Sequence, residues 1–201
     1  MKSLTRYIEE KLVIKNKSNN YKYFPETKEE LREIIEQRIE SEGKNVDLND
    51  INVSKITDMS DLFRDLDFNG DISEWDVSNV TDMGAMFFSC KSFNQDISQW
   101  DVSNVTNMSS MFYKCKSFNQ DISRWDVSDV TNMHSMFSRC KLFNQDISNW
   151  DVSGVKDMTN MFYRCESFNQ DISNWDLSSV TNMYGMFYAC PIEEKYKPKF
   201  K

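Results

Sequence analysis

The chain has few of the residue types that mark several other classes of protein. Its 201 residues include only 5 Gly and 3 Pro, too few for a collagen-like or low-complexity disordered chain. It has a single His, His134, and no Cys-x-x-Cys pair, so the usual spacing of zinc ligands is missing. No stretch approaches the roughly 20 apolar residues of a membrane-spanning helix. The sequence therefore predicts no metal site, no cofactor and no membrane insertion.

The charge of the chain is acidic, with a formal net charge of −8. Proteins that bind nucleic acids need a basic surface to neutralise phosphates, so we predict no nucleic-acid partner. Glu9 and Glu10 interrupt the apolar pattern of the N-terminus, which does not read as a signal peptide. This favours a cytoplasmic protein, and the alternative is a surface or virion-associated one.

One 25-residue unit recurs along most of the chain. CKSFNQDISQWDVSNVTNMSSMFYKC, residues 90–115, returns with few changes at 115–140 and again at 140–165. A unit of this kind cannot bury its own apolar face, so we expect the units to stack with equivalent side chains in rows. The 5 Cys fall at one point of successive units and are expected to be core thiols rather than disulfides.

Two apolar patterns alternate inside each unit. Residues 97–105 follow the LxxLxLxxL spacing of a leucine-rich-repeat strand, with Trp100 and Val102 facing the core. Residues 108–115 are apolar at i, i+3, i+4 and i+7, the spacing of one helix face, after Thr106 or Asn107 as N-cap. The predicted fold class is an α/β solenoid, a leucine-rich-repeat-like, right-handed stack of short strand plus short helix units.

The composition divides the chain into three parts. Residues 1–45 are expected to form an N-terminal helical cap, with one helix after Thr27 and a second short helix over 3–13. Residues 46–190 hold about six units, the first of them degenerate. Residues 191–201 form a charged C-terminal tail.

The repeated sequence motif resembles that of a known family. FNQDISxWDVSxVTNMxxMFxxC is similar to the BspA-type leucine-rich-repeat family, in its 25-residue branch abundant in mycoplasma surface proteins. The opening YFPETKEELREIIEQRI resembles short members from gut bacteria and their phages. The resemblance implies a solenoid that binds other macromolecules, commonly at a cell surface, although this sequence lacks the signal peptide, lipobox and anchor of such members.

Acidic residues recur in two rows of the repeat. The first follows each Trp, and the second lies five residues earlier in each unit. Each Asp either accepts backbone N–H groups in its own turn or forms part of a cation site or a landing surface for a basic partner. We call the first row the Asp row: Asp76, Asp101, Asp126, Asp151 and Asp176.

Positions that change between units are the better candidates for specificity. One such row precedes each Trp, and we call it the variable row: Glu74, Gln99, Arg124, Asn149 and Asn174. Together with the Asp row it forms the candidate partner-binding face. A second candidate surface is the aromatic row, because exposed Tyr is frequent at interfaces: Phe88, Tyr113, Tyr163 and Tyr188.

No catalytic motif occurs in the sequence. His134 stands at a position that varies between units, and the repeated Asp residues lack the paired, differing environments that acid–base chemistry needs. The sequence therefore predicts a non-enzymatic protein–protein interaction module with a protein partner, which would be a basic one if the acidic rows form the contact. The alternative is a structural or adhesive component of a cell surface or phage particle that self-associates. A calcium-stabilised repeat protein is the third reading.

Overall fold

The structure, a computed structural model, describes residues 21–199. One α-helix, α1, spans Lys28–Glu42, and a short 3-10 helix spans Glu194–Tyr196. The rest of the described chain consists of turns joined by isolated parallel bridges. The helix expected over residues 3–13 lies outside the described residues.

Hydrogen bonds between equivalent residues stack the units. The N–H of Met108 donates to the carbonyl of Asn132 at 3.0 Å, and the N–H of Phe112 donates to that of Met136 at 3.0 Å. Alternate amides along this edge therefore bond to the next unit. The same edge carries single-residue parallel bridges at one position of every unit: Asp58, Asp82, Asn107, Asn132, Asp157 and Asn182.

The predicted α/β solenoid is wrong. Residues 46–190 contain neither the short strand nor the short helix expected in each unit. A helix cannot form over 108–115 because Ser110 and Lys114 have φ of 57° and 61°, in the left-handed region, and because alternate amides bond outside the unit. The leucine-rich-repeat architecture is therefore not the architecture of this chain.

A succession of tight turns replaces both elements. The N–H of Trp100 donates to the carbonyl of Ile97 at 3.2 Å, and the N–H of Val105 donates to the carbonyl of Val102 at 2.9 Å. The same i to i+3 bond closes turns at residues 108–111 and 112–115. Each of these turns begins and ends on an apolar residue, so a spacing of three brings both ends to the core. This is why the spacing imitates a strand followed by a helix.

The prediction that the conspicuous residues form the core is confirmed. The five Trp are at most 4% exposed, and Cys90, Cys115, Cys140 and Cys165 are fully buried. Phe137 lies in the middle of one row, with its ring 5.7 Å from each of the rings of Phe112 and Phe162. Every unit must present the same cross-section for such rows to pack, which explains why these letters are invariant across the units.

Helix α1 lies against the first units. Thr27 caps it by accepting the N–H of Glu30, and Leu31 and Ile35 are fully buried. Arg32 donates to the backbone carbonyls of residues 61, 62 and 64. The helix is too short and too polar to span a bilayer, and no other helix in residues 21–199 could do so.

Candidate functional site

The Asp row is exposed, and each of its carboxylates is held by its own turn. The Oδ1 atom of Asp101 accepts the N–H of Ser103 at 3.1 Å and its hydroxyl at 2.6 Å. Asp126 holds Ser128 in the same way, at 3.1 Å and 2.7 Å. The turn-forming reading of these residues is therefore confirmed. Since one oxygen is fixed by the turn, the carboxylates project from the stack in a defined orientation.

The hydrogen bonds of these turns also favour the ionised forms of Asp126 and Asp151. The Ser128 hydroxyl lowers the pKa of Asp126, and the Ser153 hydroxyl does the same for Asp151. The charge of Asp151 acts in the opposite direction on the pKa of Asp126, because adjacent units bring like charges together. The row is therefore a line of charged carboxylates at neutral pH.

Two further rows make the same turn. In the second acidic row, the Oδ1 atom of Asp121 accepts the N–H of Ser123 at 2.9 Å. In the third, which sequence reasoning missed as a turn, the Oδ1 atom of Asn107 accepts the N–H of Ser109 at 3.0 Å. The signal was present in the sequence, because each unit repeats Asp or Asn, one apolar residue and one further residue three times, and this further residue is small except at His134 and Tyr184. The sequence pattern instead predicts Thr106 or Asn107 as a helix N-cap, which uses the same kind of side-chain bond.

The variable row lies beside the Asp row, and all five of its members are exposed. Their side chains make few bonds to the rest of the stack. Gln99 donates to the neighbouring Ser98 hydroxyl at 3.1 Å, and Asn174 donates to the carbonyl of Ser148 at 3.0 Å. The structure therefore places both rows of the predicted face on the surface.

The aromatic row is interrupted in its middle. Phe88 stacks on Tyr113 with ring centroids 4.6 Å apart, and Tyr163 stacks on Tyr188 at 5.1 Å. Ser138 occupies the intervening unit and is buried. The row is thus two separate pairs of rings rather than the continuous surface that the sequence suggested.

Cationic side chains accompany the rings of the aromatic row. Lys114 Nζ lies 5.2 Å from the Tyr113 centroid, while Arg139 and Arg164 lie 5.8 Å and 5.4 Å from that of Tyr163. Within residues 21–199 these three cations have no carboxylate at ion-pair distance. The aromatic row is therefore a basic edge of an otherwise acidic molecule.

The buried thiols are structural in character. The Sγ atom of Cys115 donates to the carbonyl of Phe87 at 2.8 Å, and the Sγ atom of Cys140 donates to that of Phe112 at 2.8 Å. Burial raises the pKa of both thiols well above the usual range. Within the described residues, no three His, Cys, Asp or Glu side chains are grouped so that they could hold a metal ion.

Comparison with known proteins gives a family and no individual relative. Neither the curated proteins nor the solved structures contain a match to this chain. A family model described as "Mycoplasma protein of unknown function, DUF285" matches twice, over residues 30–139 and 120–197. Together these matches span well over half of the 201 residues. The chain therefore belongs to the DUF285 family, a mycoplasma-type repeat family of unknown function.

Proposed function

We propose that this chain is a non-enzymatic protein–protein interaction module that binds its partner through the Asp row and the variable row. The observation that carries the proposal is the orientation of the exposed carboxylates by their own turns, as for Asp101 and Asp126. A binding surface whose side chains are already ordered loses less entropy when a partner docks.

The chemistry of the Asp row indicates a basic partner. The Asp row recurs once in each stacked unit, next to Trp rings such as those of Trp75 and Trp100, which lie 6.5 Å apart, so the row presents a linear array of negative charge. Lys and Arg side chains on a protein partner would pair with such an array and steer the encounter. The variable row, with Gln99, Arg124 and Asn149 in successive units, would then distinguish between basic partners.

The aromatic row is the second candidate surface for the same function. Its rings and its cations Lys114, Arg139 and Arg164, which have no carboxylate partner in the described part of the chain, suit an acidic protein segment. We place it second because its rings form two separate pairs with Ser138 between them.

Several finer readings accompany the proposal. We propose a cytoplasmic location, and membership of the BspA-type branch would instead make a surface or virion-associated location natural. A structural or adhesive role at a surface or particle is the alternative function, and it predicts self-association at high concentration. Sedimentation velocity over a hundredfold range of concentration separates the two, because an interaction module remains a monomer.

Capture of partners from a lysate of the native organism tests the face. Asp101→Asn, Asp126→Asn and Asp151→Asn together remove three charges but keep the Oδ1 acceptor of each turn. The matched control is Asp96→Asn, Asp121→Asn and Asp146→Asn, which makes the same change in the other acidic row. The first triple variant should capture at least tenfold less partner than the wild type, and the control should capture as much as the wild type. Equal capture by the two variants would exclude the Asp row as the binding site.

A further inference from the structure

Among the described residues, the last unit of the stack leaves a row of backbone donors without acceptors. In the unit before it, the amides of Met158 and Phe162 donate to carbonyls of the last unit at 2.8 Å and 2.9 Å, and Asn160 and Arg164 do the same. The equivalent amides of the last unit have no acceptor within residues 21–199: Met183, Gly185, Phe187 and Ala189. We call residues 181–190 the tail face. An unpaired row of this kind is a template for pairing with another chain.

Apolar side chains are also uncovered at the tail face. Tyr184 is 83% exposed and Tyr188 is 59% exposed. Met183 and Phe187 are only partly buried, whereas their equivalents in the interior units are fully buried. The cross-section of the stack is therefore open at this point, where terminal units normally carry a polar cap.

Residues 191–199 close only the opposite half of the last unit. The N–H of Ile172 donates to the carbonyl of Tyr196 at 3.0 Å, and the N–H of Glu193 donates to Oδ1 of Asn169 at 2.9 Å. Ile192 and Pro198 are buried there. This segment covers the half that contains Asn169 and Ile172, and at the tail face Lys197 Nζ lies 5.8 Å from the Phe187 centroid. It supplies no acceptor to the four amides of the tail face.

The other end of the stack is closed in a complementary way. There the groups that point out of the stack are carbonyls, and Arg32 of α1 donates to those of residues 62 and 64 and also to that of residue 61, which closes a turn. Lys28 adds bonds to the side chains of Asp58 and Ser60 at 2.7 Å and 2.9 Å. The stack thus has a carbonyl-bearing end closed by two cationic side chains of α1, Lys28 and Arg32, and an amide-bearing end that residues 21–199 leave open.

We infer that the tail face binds a further unit of the same 25-residue type, supplied by another polypeptide. Such a unit offers carbonyls at alternate residues, spaced to accept the four free amides, and Phe and Met side chains of the same cross-section. The interface would repeat the one already formed between residues 158–164 and 182–188. Addition of backbone to an exposed edge is an established mode of recognition.

The hydrogen-bond pattern favours a separate repeat unit over a second copy of this chain as the occupant of the tail face. Two tail faces would oppose donors to donors, which disfavours a symmetric dimer. The carbonyl-bearing end of a second copy is occupied by α1, so the partner must present that end without such a helix. The inference is independent of the Asp row, because the tail face and the Asp row share no residue.

Hydrogen–deuterium exchange of the full chain tests the inference, with a peptide of residues 90–139 as the probe. In the chain alone, the amides of the tail face should exchange at least tenfold faster than those of residues 158–164. With the peptide in excess, exchange at 183–189 should slow about tenfold, and a scrambled peptide should have no effect. The Asp101, Asp126 and Asp151 to Asn variant should respond as the wild type does, so failure here is separable from failure of the proposed function.

Two results of the exchange experiment would overturn the inference, and so would one result with a variant. One is unchanged exchange at 183–189 with saturating peptide in a chain whose residues 158–164 remain protected. The other is protection of 183–189 in the chain alone together with an oligomer in sedimentation, because the occupant would then be a second copy. A Phe187→Asp variant that binds the peptide as tightly as the wild type would also contradict it, since Phe187 lies at the centre of the proposed contact.

Discussion

The stacking of equivalent rings makes a quantitative prediction for Phe137. This ring is fully buried, and its centroid lies 4.0 Å from that of Phe143. It also stacks on Phe112 of the preceding unit and on Phe162 of the following unit. Truncating a buried Phe to Ala costs about 3–5 kcal/mol. We therefore expect Phe137→Ala to lower the free energy of unfolding by about 4 kcal/mol, which is about 10 °C in melting temperature for a chain of this size.

Phe187 provides the matched control because it ends the same row. Within the described residues its ring stacks on one other ring of the row, that of Phe162 at 5.8 Å, and it is only partly buried. Phe187→Ala should therefore cost about half as much, roughly 2 kcal/mol. Urea unfolding followed by Trp fluorescence measures both variants. Equal losses for the two variants would refute the account in which packing between units stabilises the fold.

The remaining predictions concern turns, thiols and a close contact. Asp126→Ala should lower the free energy of unfolding by about 1 kcal/mol in urea unfolding, and Asp126→Asn by much less, because only Asn keeps the acceptor. The Ser128 hydroxyl lowers the pKa of Asp126, so the loss of stability in Asp126→Ala relative to the wild type should be complete at neutral pH and shrink as the pH falls below about 4. A chromogenic disulfide reagent at pH 7 should modify Cys190 first and leave Cys140 unmodified, because Cys140 is fully buried and Cys190 is not. Gly70→Ala should destabilise the chain far more than Gln95→Ala in thermal unfolding, because a Cβ at Gly70 would lie 1.9 Å from the carbonyl oxygen of residue 46.

The inward rows could be predicted from the sequence, and the local backbone could not. Trp100 and Val102 repeat without change or with small changes because stacked units must match, and this argument does not depend on the backbone conformation. The strand and the helix were wrong because apolar residues three apart also mark the two ends of a closed turn, as for Val102 and Val105. Periodicity alone does not distinguish a helix face from successive turns.

The candidate site likewise combines features that the sequence predicts with features that only the structure shows. The exposure of the Asp row and its turn bonds followed from the position of each Asp beside a buried Trp. The interruption of the aromatic row at Ser138 was visible in the sequence, but the separation into stacked pairs needed the ring positions. The open tail face was not foreseen, because it depends on which amides point along the stack, and side-chain patterns do not report this.

Carboxyl footprinting of the captured complex tests the proposed binding face most directly. Carbodiimide-activated amidation labels exposed Asp side chains, so the free chain should be labelled in both acidic rows. In the complex, we predict that Asp101, Asp126 and Asp151 are protected while Asp96, Asp121 and Asp146 keep their labelling. Unchanged labelling of the Asp row in a complex that stays intact would contradict the proposal and would direct attention to the aromatic row.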